Sequence, residues 1–130
     1  MKVLRDRHEV EEVRIHVLKE LRNGNGLVVR ADRASVANAI RDVLGNESTL
    51  ELRLQAALAL GEFTDTDGVL ASLGAVCLAH EESIDLRYAA FTSLERAGPR
   101  PDCIALLQQM VGDETLGHST RSVLSAWHIG

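Results

Sequence analysis

Apolar residues recur every three to four positions along most of the chain, as in Val36, Ile40, Val43 and Leu44. That spacing lines one face of an α-helix. It predicts one set of helices near residues 9–22, 49–62, 83–97 and 117–128, and a second set near 33–45, 67–79 and 101–112. Local chemistry supports these limits. Asp32 and Asp67 stand where N-caps of the second set belong, and Gly45, Gly98 and Gly112 stand where helices close. Pro101 falls in a first turn, where a missing N–H costs nothing.

The polar positions are periodic too. Leu52-Arg53 returns as Leu86-Arg87 after 34 residues, and Arg121 follows after another 34. Neighbours match in kind: Leu50 with Ile84, Glu51 with Asp85, Ala56 with Ala90, Leu60 with Leu94. Val36, Leu70 and Ile104 keep the same step, as do Val43, Cys77 and Val111. An earlier copy, Val13 to Leu21, overlays Leu52 to Leu60 at a step of 39. Its five extra residues fall in Asn23–Val29, where two Asn-Gly dipeptides mark a turn. Fixed self-similarity of this length is the sequence signature of a repeat architecture. The expectation is a single all-α domain over residues 1–130, a stack of about seven helices made of three pairs and a terminal helix.

The run Leu52-Arg53-Leu54-Gln55-Ala56-Ala57-Leu58-Ala59-Leu60-Gly61, followed by Asp65, Val69-Leu70 and Leu73, resembles bacterial HEAT-like repeats, including those named after phycobilisome lyases. Those repeats carry an apolar-Arg pair, alanines and a Leu-Gly ending on the first helix, then a short turn and a Leu-rich second helix. The resemblance covers most of the chain and implies an α-solenoid. It says little about function, because such repeats mostly scaffold or bind. The Trp, Gly-Tyr and Pro signature of tetratricopeptide repeats is absent.

Composition narrows the partner. Aromatics are 3%, so the core is aliphatic, and the net charge is −5. A phosphate-binding protein shows a basic patch or stripe, and none is visible, so nucleic acid is not expected. An acidic surface suits a protein partner, a basic one above all. No apolar run reaches the ~18 residues of a membrane span, and the charged start argues against a signal peptide. The expected location is cytoplasmic, with Cys77 and Cys103 as buried, reduced thiols in different helices.

Candidate chemistry is sparse. No HExxH, GxSxG, P-loop or GxGxxG motif occurs. His8, His16, His80, His118 and His128 are scattered, and the carboxylates fall mostly at helix starts and turns, where the helix dipole accounts for them. No catalytic residue, metal or cofactor is expected. The aligned Arg14, Arg53, Arg87 and Arg121 read as a structural ladder between units, each pairing with a carboxylate such as Glu47, Glu81 or Asp113 at the preceding turn. Trp127 is expected to cover the open end of the last unit. The second helices expose Asn38, Arg41, Asp42, Ser72, Gln108 and Gln109 by phase, and the inserted loop carries Leu27, Val28 and Val29. These residues form the expected partner-binding surface, and the other reading of Leu27, Val28 and Val29 is a cap tucked onto the end of the stack. The function read from this set is a non-enzymatic protein-binding module, in the narrower form a toxin-neutralising (immunity) protein or an enzyme inhibitor. The other reading is a phycobilin-lyase-like protein or a regulatory adaptor or scaffold. Oligomeric state is not legible.

Overall fold

The computed structural model describes residues 11–22, 33–46 and 49–129. Seven α-helices fill them, and no strand occurs among the described residues. They are α1 (Glu11–Arg22), α2 (Arg33–Asn46), α3 (Leu50–Ala59), α4 (Val69–Leu78), α5 (Ile84–Glu95), α6 (Pro101–Gln108) and α7 (Gly117–Ala126). A 3-10 turn, Leu60–Phe63, continues α3.

Helix α3 packs against α1, α2 and α5, while α4 packs closely on α5 and touches α2 and α6. Thus α1, α3 and α5 form one row and α2, α4 and α6 a second. The closest approaches between rows join α2 to α3 and α4 to α5, whereas α4 meets the preceding helix mainly through the 3-10 turn. Small residues permit this. Ala56, Ala57, Ala59 and Ala90 are all fully buried. Between α4 and α6, a Cβ on Gly74 would stand 2.8 Å from Leu106 Cδ2. The larger core residues include Leu18, Ile40, Leu60, Leu73, Leu94 and Leu107, each with no exposed surface. Burying one aliphatic side chain of this size contributes roughly 1.5–3 kcal/mol, so an aliphatic core suffices without many aromatics.

Several helix ends differ from expectation. Helix α2 runs through Gly45 to Asn46, so Gly45 does not close it. The N-cap of α4 is Gly68, with φ 86°, and its neighbour Asp67 makes no cap. Helix α6 stops at Gln108, and a turn carries the chain through Gly112. Gly98 does serve the end of α5: at φ 78° it donates its N–H to the Glu95 carbonyl at 3.1 Å. Pro101 opens α6 behind the N-cap Arg100. At the start of α5, Ser83 Oγ accepts from Leu86 N at 3.1 Å, as an N-cap should. Asp32 lies outside the described residues.

Candidate functional site

Arginines lace the turns together, and they do so at both ends of the helices. Near the start of α3, Arg53 donates from Nε to the Leu44 carbonyl at the end of α2 (2.8 Å) and from Nη1 to Glu82 Oε1 (2.9 Å). Near the start of α5, Arg87 donates from Nε to the Cys77 carbonyl (2.9 Å) and from Nη2 to Asp113 Oδ2 (2.6 Å). Near the start of α7, Arg121 Nη1 donates to the Val111 carbonyl at 2.7 Å. A guanidinium at a helix C-terminus satisfies an orphan carbonyl and opposes the negative end of the dipole. The acids are not those of the preceding turn. Glu82 and Asp113 follow their arginines by a whole helical pair, Glu81 is exposed beside Glu82, and Glu47 lies outside the described residues. Arg14 is buried, at 5% exposure.

Burial divides these pairs. The Arg87 and Asp113 side chains are 3% and 5% exposed, against 20% and 23% for Arg53 and Glu82. Burial works to raise the Asp113 pKa. Hydrogen bonds from Leu116 N, Arg87 and Thr115 N, with the Arg87 charge, outweigh it and hold the carboxyl below its ordinary value. Glu82 is also lowered, chiefly by the Arg53 hydrogen bond.

A second lacing at the opposite helix ends was not foreseen from sequence. Arg33, at the start of α2, donates to the Glu62 carbonyl and to Asp65 Oδ1 (2.8 Å), and its guanidinium lies 4.7 Å from the Phe63 ring centre. Arg96 pairs with Glu62, and Arg100 Nη1 donates to the Thr64 carbonyl at 2.7 Å. One signal was available: Glu62 and Arg96 are opposite charges one 34-residue step apart.

The second row of helices presents two grooves. Ala71 and Ala75 of α4 are exposed, with the half-buried Ser72 between, and they make a low ridge. Between α2 and α4 lies a groove of about 300 Å³ lined by Arg41, Gly45, Arg53, Ser72, Ala75 and Glu82 among others. Between α4 and α6 lies another, of about 420 Å³, whose lining includes Asp65, Asp67, Ala71, Arg100, Asp102 and Gln109. Arg41 crosses the first groove, donating from Nε to Ser72 Oγ (2.8 Å) and from Nη1 to Asn38 Oδ1 (3.3 Å). Its guanidinium rests over Gly68, whose φ of 86° is the conformation that calls for glycine there.

The expected contact residues are therefore distributed unevenly. Asn38, Arg41 and Ser72 are brought together, and Gln109 joins the second groove. Asp42 and Gln108 are exposed and line neither groove. Leu27, Val28 and Val29 lie outside the described residues.

Comparison with protein-family models, curated proteins and solved structures finds no match. Among the described residues, no group of three His, Cys, Asp or Glu side chains is placed to hold a metal, and no helix is long and apolar enough to cross a membrane. Cys77 and Cys103 are buried and free. Burial pushes the Cys77 thiol up to about 12 and the Cys103 thiol up to about 11. Trp127 is half-buried against the core just after α7.

Proposed function

We propose that the protein is a non-catalytic binding module of HEAT-like, α-solenoid build, whose second row of helices receives a basic segment of a protein partner. The observation that carries this reading is the groove between α4 and α6. Three aspartates line it together with Arg100: Asp65 and Asp102, 68% and 55% exposed, pair with Arg33 and Arg100, and Asp67 has no basic partner among the described residues. Beside it, Ala71 and Ala75 let a main chain or a long side chain approach closely. A polar, acidic rim around a smooth floor suits Lys or Arg side chains that lay their aliphatic stems along alanine and place their charges on aspartate.

The narrower proposal is an immunity-type or enzyme-inhibiting role. The net charge of −5 supports it, because a negative surface speeds encounter with a basic enzyme. The test is affinity capture from the source cell followed by mass spectrometry, using the wild type and an Asp67→Lys, Ala71→Arg double variant. Both positions are exposed, so the variant should melt normally. The expected result is a basic protein captured by the wild type and lost by the variant. Retention by the variant would move the contact to another face.

A further inference from the structure

We propose that the groove beside α7 is a docking site for a helix of another protein, one that is apolar on one face and carries a carboxylate in the turn after its C-terminus. The groove measures about 560 Å³ and is lined by Val111 from the turn after α6, by Arg121, Leu124 and Ser125 of α7, and by His128 and Ile129 just beyond. Aliphatic side chains make much of its wall. No acid lines it, and its fixed positive charge is Arg121.

The rest of the molecule shows how this surface is used when it is filled. Helix α4 lies against α2 and α5, and the turn after it delivers Glu82 to Arg53. Helix α6 packs on α4, and the turn after it delivers Asp113 to Arg87. In each case the arginine also holds the last carbonyls of the helix before it, Leu44 and Cys77. Arg121 repeats the first half of this arrangement through the Val111 carbonyl. It makes no ion pair with a carboxylate among the described residues, and it is exposed. Its placement is built in by Gly117, where a Cβ would stand 2.7 Å from the Val111 oxygen and 3.1 Å from Arg121 Nη1. Any larger residue there would close the path between guanidinium and carbonyl.

Polarity also differs from the equivalent positions. Ser125 and His128 stand in the 34-residue register of Phe91 and Leu94, both buried. Two exposed polar residues thus stand at α7 where two buried apolar ones stand at α5, which suits an occupant that comes and goes. Charge selects the occupant. An acidic, amphipathic helix complements Arg121, whereas a second copy docked through the same end would set Arg121 against Arg121. This site is separate from the aspartate-lined groove between α4 and α6, and the two would take partners of opposite charge.

The protein supplies its own probe. A synthetic peptide of residues 68–83, helix-stabilised by a side-chain lactam on its polar face, carries the α4 apolar face and Glu82. Titrated into the full chain, it should bind with a saturable signal. Arg121→Glu in the chain, or Glu82→Lys in the peptide, should each weaken binding by roughly tenfold or more, and the two changes together should restore it. A second measurement guards against a peptide that fails to fold. The same segment, appended to the chain through a flexible linker, should raise the Tm, and Arg121→Glu should abolish the rise. Absence of both binding and Tm gain overturns the proposal. So does binding indifferent to Arg121→Glu, which would mean simple apolar adhesion.

Discussion

An arginine at 3% exposure beside a carboxylate at 5% is costly to break from one side, since the survivor is left charged and buried. Arg87→Ala should therefore lower stability by about 3 kcal/mol, softened by the Thr115 and Leu116 N–H groups that still serve Asp113. Arg53→Ala should cost about 1–2 kcal/mol, and Arg121→Ala about 0.5 kcal/mol or less. Urea unfolding of the three variants would check the order, and three equal losses would contradict the burial argument. Acid should act through the same pairs. A carboxyl lowered on folding gives stability that is complete above its unfolded pKa of about 4 and lost as pH falls through its folded value. Asp113 and Glu82 both have that sign. The Tm should fall below about pH 4, and more shallowly in Asp113→Asn. The thiols give a third expectation: with pKa values of about 12 and about 11, Cys77 and Cys103 should resist a disulfide reagent at mildly alkaline pH until the chain unfolds. The register of Arg53, Arg87 and Arg121 was legible because it keeps a constant step of 34. Its acids were not, since Glu82 and Asp113 follow their arginines by 29 and 26 residues.

Helices were legible where their buried face ran unbroken, and their ends were not. The apolar rhythm of α6 continues past Gln108 because Met110, though in a turn, is fully buried. Periodicity reports burial, and a turn can bury a side chain as well as a helix does. Glycine misled in the same way, since its meaning depends on φ and on what surrounds it. Gly45 lies inside α2, exposed, and a Cβ there would meet nothing within 4 Å. Gly45→Ala should raise stability by about 0.5 kcal/mol by restricting the unfolded chain. Gly98 has equal space but φ 78°, so Gly98→Ala should lower stability by about 1 kcal/mol. Opposite shifts in Tm for two glycines with equally open surroundings would separate conformation from packing.

For the whole molecule, the all-helical class followed from the pattern, while the grooves between the helices did not. Phase identified Arg41 and Ser72 as surface residues, but their mutual hydrogen bond depends on how α2 and α4 lie together, which no single-helix pattern contains. The acidic groove between α4 and α6 is likewise a product of neighbouring turns. Hydrogen bonds between elements stay short in sequence, the Ser93 and Arg100 contacts reaching back 36 residues. The contacts within the helices are shorter still, and a predominance of local contacts favours rapid folding, so refolding after a denaturant jump should finish within milliseconds or so.

The two arginine lacings have a mechanical consequence. Arg53 and Arg87 fasten one end of the helices, and Arg33, Arg96 and Arg100 fasten the other. Helices fastened at a single end can splay at the other like the ribs of a fan. Fastened at both, they resist splaying in either sense, and the cavities between them keep their width. Cutting one row by mutation should leave the protein folded but pliable, hinged on the row that remains.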